Sequence, residues 1–123
     1  MLNPAGVAWV GLYAKHLPTL ADFYERVVGF RVVERDDQCC IFDVGAGALF
    51  EIWGKGFASS SRKTTQEQSV LVGFLVERLE PAVESLRGRG LHPDTKIESY
   101  LGTRWIHYTD PEGNRFEVKD HHG

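Results

Sequence analysis

The chain has 123 residues, of which 42% are hydrophobic and 25% charged, and its formal net charge is −3 at pH 7. This length predicts one domain with a buried core, residues 1–123, rather than two independent domains. The acidic balance argues against a nucleic-acid partner, because such binding needs clustered Lys and Arg. No apolar run approaches the roughly 20 residues of a membrane span, and the start, MLNPAGVAWV, lacks the pattern of a signal peptide. We therefore expect a cytoplasmic protein that binds neither nucleic acid nor membrane.

The first half of the chain changes from a strand pattern to a helical one. Residues 7–13 have the pattern of a strand, and the segment LPTLADFYERVVGF that follows has helical spacing. Thr19 is the predicted N-cap of this helix, and Gly29 stands where a left-handed residue commonly ends one. The apolar side of the helix consists of Leu20, Phe23, Tyr24 and Val27.

Three more strands complete this half. They are predicted at residues 30–34, Cys39–Asp43 and 48–53, and the glycines of VGAG turn the chain before the last. Cys39 and Cys40 are adjacent in a strand, where successive side chains point to opposite faces, so we expect both thiols to be reduced. The result is a predicted βαβββ module over residues 6–54.

The second half repeats this order. Residues 55–69 are polar, lack an apolar period and are predicted to link the halves. A strand at 70–76 precedes a helix that opens with Glu80 and Pro81, since proline is favoured in a first helical turn. The turn signature DPEGN joins the last two strands. The remaining strands of this second module, residues 70–120, are predicted at 96–99, 104–109 and 115–119.

Each module ends on a strand with a glutamate at its centre. Because residues two apart in a strand share a face, Glu51 lies with Leu49 and Trp53, while Phe50 and Ile52 face the helix. The matching strand of the second module also places its glutamate on the open face. That face carries Arg115, Glu117 and Lys119.

A histidine opposite the second glutamate gives the sharpest functional hypothesis. If the DPEGN hairpin pairs Thr109 with Arg115, His107 lies across from Glu117 within hydrogen-bonding reach. A carboxylate that fixes the tautomer of an imidazole prepares it for acid–base catalysis, so both residues are candidate catalytic groups. In the alternative, Glu117 is a solvated strand residue or an ion-pair partner of Arg104 or Arg115.

Several aromatic side chains could stack on a flat ligand. Large aromatics in strands also serve as core or dimer contacts, and both interpretations stay open. The candidate ligand-binding residues are Trp9, Tyr13, Glu51, Trp53, Trp105 and Arg115.

The repeated βαβββ order, the segment LPTLADFYERVVGF and the terminal DPEGNRFEV together resemble the vicinal oxygen chelate superfamily. That superfamily includes glyoxalase I, bleomycin-resistance proteins and extradiol dioxygenases, and the resemblance covers nearly the whole chain. It implies an α+β fold in which two βαβββ modules form a cupped mixed sheet. It also implies a homodimer that binds a small molecule.

The resemblance further implies where a metal would bind. In metal-using members each module supplies one ligand from its first strand and one from its last. Glu51 and Glu117 match the last-strand positions, whereas the first-strand positions fall on Trp9 and Leu71, which cannot donate to a metal. Zn, Ni or Fe sites generally need three or more protein ligands. We therefore expect a binding protein with a degenerate metal site and no required cofactor. The alternatives are a divalent-metal lyase, isomerase or dioxygenase using the two glutamates, and a metal-free enzyme.

Overall fold

The computed structural model describes residues 1–54 and 68–122, and the chain divides into two compact units, Met1–Ser60 and Ser61–Gly123. Each unit contains one four-stranded mixed sheet and one helical segment, in the order βαβββ. The predicted α+β class and the repeat are therefore confirmed. Most of the predicted linker at 55–69 lies outside the described residues.

The first unit matches its predicted elements within one or two residues. Its sheet has the order β1-β4-β3-β2, with β1 parallel to β4 and the other pairs antiparallel. Its helix continues as a π-helical turn, which the sequence pattern did not predict. The elements are β1 (Trp9–Tyr13), α1 (Leu17–Asp22), the π-helical turn (Phe23–Val28), β2 (Arg31–Arg35), β3 (Cys39–Asp43) and β4 (Leu49–Trp53).

The two ends of this helical segment have different caps. The predicted N-cap, Thr19, is wrong: the helix begins at Leu17, and Nδ1 of His16 accepts a hydrogen bond from the Thr19 backbone N–H at 3.4 Å. Pro18 already belongs to the first turn, where its missing N–H costs nothing. At the other end Gly29 has φ 96°, the predicted left-handed conformation.

The core of the first unit is aromatic. The Tyr24 ring stacks on Phe30 with centroids 5.9 Å apart and meets Phe50 edge-on at 4.9 Å. Both cysteines are buried and free, as predicted. Burial, assisted by the neighbouring Asp36, raises the pKa of the Cys39 thiol to about 11, which keeps it protonated at neutral pH.

The second unit repeats the topology. Its sheet has the order β5-β8-β7-β6, and β5 is parallel to β8. β5 is shorter at both ends than the predicted 70–76. β6 begins two residues later than the predicted start at residue 96. In the segment before it, the Asp94 N–H donates a hydrogen bond to the carbonyl of His107. The elements are β5 (Val72–Leu75), α2 (Leu79–Gly88), β6 (Glu98–Tyr100), β7 (Thr103–Thr109) and β8 (Arg115–Asp120).

A buried carboxylate from the last strand caps the start of α2. Asp120 accepts a hydrogen bond from the Leu79 N–H at 2.8 Å and pairs with Arg104 at 2.6 Å, and Arg104 also pairs with Glu80 at 2.7 Å. The Arg104 guanidinium holds the pKa of Glu80 at about 2 and the pKa of Asp120 well below its usual range. These contacts fix α2 to the sheet.

Burial in this unit follows the predicted alternation of faces. Phe116 and Val118 point to the core, and Tyr108 stacks on Phe116 at 5.8 Å. The predicted DPEGN turn is confirmed, with the buried Asp110 carboxylate accepting a 2.9 Å hydrogen bond from the Asn114 N–H. Across the described ranges no helix combines the length and the apolar character needed to cross a membrane.

Candidate functional site

The open face of the second unit brings His107 and Glu117 together. The two residues are register partners on β7 and β8, and Nε2 of His107 lies 2.9 Å from Oε2 of Glu117, so the predicted hydrogen bond is confirmed. Because an ionised carboxylate only accepts, Nε2 carries the proton of this bond. The predicted alternative partners are engaged elsewhere: Arg104 pairs with Asp120, and Arg115 lies 3.8 Å from Asp94. Glu117 is therefore held by imidazole rather than by an arginine.

The two oxygens of Glu117 have different surroundings. Oε2 is held by His107, whereas Oε1 has no hydrogen-bond partner among residues 1–54 and 68–122. Oε1 is not fully buried, and the Glu117 side chain as a whole is 18% exposed. Nδ1 of His107, by contrast, is buried without a partner in the same ranges. The dyad thus presents a carboxylate oxygen, not an imidazole nitrogen, to the open face.

A glycine lies directly beside this oxygen. Gly73 is the register partner of Glu117 on the parallel strand β5. A Cβ added at Gly73 would lie 3.3 Å from Glu117 Oε1 and 3.6 Å from Lys119 Cδ. We call the space bounded by these three residues the Gly73 notch. Gly73 is not among the predicted site residues, although a glycine inside a strand is a known signal of close backbone approach.

The first unit has a related arrangement around Glu51. The indole N–H of Trp53 donates to Glu51 Oε1 at 2.9 Å, which fixes the carboxylate along its own strand. The register partner on β1 is again a glycine, Gly11. A Cβ there would lie 2.6 Å from Trp9 Cζ3, so the Trp9 ring lies over this glycine. Glu51 is thus flanked by two indoles.

The other candidate ligand-binding residues lie on the open faces of their sheets. Trp9 and Tyr13 on β1 are 51% and 55% exposed, and they are not core residues of their unit. Trp105 is half-buried and is the register partner of Lys119, one pair along from His107 and Glu117. Within each unit the structure therefore places indole surface close to a glutamate.

The donor set does not fit a metal ion. The first-strand ligand positions implied by the resemblance fall on Trp9 and on Leu71, which precedes β5 and is 49% exposed. On β1 and β5 the register partners of the two glutamates are Gly11 and Gly73, so these strands supply no donor side chain beside them. No group of three or more His, Cys, Asp or Glu that could hold a metal occurs in the described part of the chain. Zinc or iron sites generally use at least three such ligands.

Comparison with known families identifies the fold. The profile of the Glyoxalase/Bleomycin resistance protein/Dioxygenase superfamily matches residues 6–118, which is nearly the whole chain. A search of curated proteins gives no match.

Solved structures share this fold at low sequence identity. A protein from the mobile metagenome of V. pseudocholerae has 18% identity and a TM-score of 0.76, over 100% of this chain and 99% of that chain. A glyoxalase/bleomycin resistance protein/dioxygenase from Alicyclobacillus acidocaldarius has 17% identity and a TM-score of 0.74, over 98% and 95%. A lactoylglutathione lyase from Agrobacterium tumefaciens has 19% identity and a TM-score of 0.68, over 95% and 94%. Identities this low establish the fold alone, and they agree with the predicted resemblance.

Proposed function

Because the chain belongs to the Glyoxalase/Bleomycin resistance protein/Dioxygenase superfamily, we propose that it binds a small, partly aromatic molecule without requiring a metal. One observation carries this proposal: each central glutamate has one oxygen fixed by a ring N–H on the same face, Trp53 for Glu51 and His107 for Glu117. A carboxylate already oriented in this way accepts hydrogen bonds from a ligand with little loss of its own freedom. The neighbouring indoles supply the apolar surface.

The proposal includes the assembly of the protein. We propose that the two units act as halves of one domain, and that two chains form a homodimer. Exposed leucines at the edge strand β5 support a partner: Leu71, just before the strand, is 49% exposed and Leu75, at its end, is 63% exposed. Light scattering coupled to size exclusion tests this, and a monomeric mass at micromolar concentration would contradict it.

Stacking on Trp9 tests the binding function. Isothermal titration of 2-naphthol should give saturable binding, and Trp9→Ala should weaken it by about 1 kcal/mol or more through loss of ring contact. Trp9→Phe is the matched control, because it keeps an aromatic face and should retain most of the affinity. Equal affinity in the wild type and Trp9→Ala would remove this ring from the site.

A metal-dependent lyase, isomerase or dioxygenase using Glu51 and Glu117 is a second candidate, favoured by the match of both residues to last-strand ligand positions. The donor count argues against it. Elemental mass spectrometry of the untagged protein distinguishes this metal-dependent enzyme from the metal-free binding protein. Near-stoichiometric metal that disappears in both Glu51→Ala and Glu117→Ala would replace our proposal with this one.

A metal-free acid–base enzyme is a third candidate, favoured by the 2.9 Å contact between His107 and Glu117. In that case Oε1 of Glu117 is the group that exchanges a proton with substrate, and His107 acts as its positioning residue. Full activity of His107→Ala on any substrate found would remove the dyad from the mechanism.

A further inference from the structure

The Gly73 notch combines an acceptor and a cation within one small space. Its acceptor is Oε1 of Glu117, and its cationic side chain is Lys119, whose Cδ lies against the same space. In the described ranges Lys119 has no ion-pair partner. The notch is therefore bordered by an acceptor oxygen without a hydrogen-bond partner and by a cationic side chain without an ion-pair partner among the described residues.

The charges restrict which ligand can satisfy both groups. A simple amine would pair with Glu117 but would be repelled by the ammonium group of Lys119. A simple acid would pair with Lys119 but would be repelled by the carboxylate of Glu117. A molecule with a hydrogen-bond donor beside a carboxylate satisfies both, because its donor reaches Oε1 and its negative charge reaches the ammonium group. Arg115 contributes less, since it lies 3.8 Å from Asp94.

The surroundings of the notch add an apolar requirement. Trp105 is the register partner of Lys119 on β7, on the same open face, and it is half-buried. Gly73 on β5 and Trp105 on β7 lie on either side of β8, so two strand spacings, roughly 10 Å, separate them. A ligand held in the notch can therefore reach this indole with a ring that is carried on a short chain.

We propose that the Gly73 notch binds aromatic carboxylic acids that carry a hydroxyl or an ammonium group next to the carboxylate. This inference rests on the proposed ligand-binding function and names its ligand class. Gly73 determines the specificity, because any side chain there would occupy the space beside Oε1. His107 positions the carboxylate by holding its other oxygen.

Three probes of one carbon skeleton test this inference by isothermal titration. They are 3-phenyllactate, which carries the hydroxyl, phenylalanine, which carries the ammonium group, and 3-phenylpropanoate, which carries neither. At least one of the first two should bind roughly tenfold or more tightly than the third, as expected for a hydrogen bond to a charged acceptor. Whether 3-phenyllactate or phenylalanine binds more tightly shows whether the preferred donor is a hydroxyl or an ammonium group.

Variants assign the effect to the notch. Glu117→Leu removes the acceptor at similar size and should abolish the preference for the donor-bearing probe. Lys119→Met should weaken the binding of all three acids. Gly73→Ala should also remove the preference. Gly88→Ala is its control, because a Cβ there would have no neighbour within 4 Å and should leave binding unchanged.

The outcomes separate this inference from the proposed function. Equal binding of all three acids, or a preference that survives Glu117→Leu, overturns the inference. The proposed function would then stand on the naphthol titration. Binding of 2-naphthol without binding of any acid likewise overturns the inference and leaves the proposed function standing. If no probe binds at all, both the inference and the proposed function are overturned.

Discussion

Replacing Tyr108 by phenylalanine should stabilise the protein, although Tyr108 is at the centre of the second core. The residue has 0% exposure, and its hydroxyl has no hydrogen-bond partner among the described residues. Burying a hydroxyl without a partner costs about 1–3 kcal/mol. The change keeps the ring and its stacking on Phe116 and removes one oxygen, which forfeits a few tenths of a kcal/mol of dispersion. The net expectation is a gain of about 1 kcal/mol.

Urea unfolding measures this gain. The midpoint should rise in Tyr108→Phe while the slope m stays constant, and the melting temperature should rise by roughly 4 °C. Tyr100→Phe is the matched control, because Tyr100 is 67% exposed and its loss of a hydroxyl should change stability by less than about 0.5 kcal/mol. A loss of about 1 kcal/mol or more in Tyr108→Phe would refute the reasoning, since it would mean that the hydroxyl has a partner, such as a bound water.

The pH dependence provides an independent check on the same group. Burial raises the pKa of Tyr108 above its ordinary value. When a pKa is higher in the folded state than in the unfolded state, the resulting stability is complete below the unfolded-state pKa, which is about 10 for tyrosine. This stability is lost as the pH rises through the folded-state pKa. The advantage of Tyr108→Phe over the wild type should therefore grow above about pH 10. An advantage that stays constant there would contradict burial of the neutral phenol.

Two further predictions concern the caps of the helices. Arg104→Met should destabilise the protein at neutral pH, and the gap from wild type should narrow as pH falls from about 4.5 to 2. Arg104 lowers the folded-state pKa of Glu80 and of Asp120. The stability gained in this way is present above the unfolded-state pKa of these carboxyl groups and is lost as they bind protons at lower pH. Urea unfolding midpoints of the wild type and Arg104→Met across this pH range test the prediction. A difference in stability between the two proteins that does not change with pH would contradict it. Gly29→Ala should lower the free energy of unfolding by about 1 kcal/mol, because φ 96° strains any residue with a Cβ. Thermal unfolding that is unchanged in Gly29→Ala would show that the turn relaxes.

Much of the fold was predictable because local rules and tertiary packing agree. Alternation along β8 sorted Phe116 to the core and Glu117 to the open face, and the DPEGN signature fixed the hairpin register that places His107 opposite Glu117. Helix starts were less predictable, since Thr19 loses its predicted capping role to His16 once Pro18 occupies the first turn. Strand alternation assigns a face to each residue from the pattern of the whole strand, whereas the position of an N-cap depends on one side chain.

The parts of the site that escaped prediction depend on parallel pairing. The sequence gives no local signal for which residue of β5 lies beside Glu117, because β5 and β8 are separated by a helix and two strands. Gly73 was therefore missed, although it borders Oε1 of Glu117. The capping of α2 by Asp120 escaped for the same reason, as the Leu79 N–H and this carboxylate are 41 residues apart.

The two units fix their central glutamates by different means, and this difference has a functional consequence. His107 of the second unit corresponds in register to Ile41 of the first, which pairs with Glu51. Glu51 is instead fixed by the indole of Trp53, which has no protonation change in water. Glu117 is thus held from the neighbouring strand β7, whereas Glu51 is held from within its own strand β4. Ligand contacts to Glu117 should therefore depend on His107, and ligand contacts to Glu51 should depend on Trp53 instead.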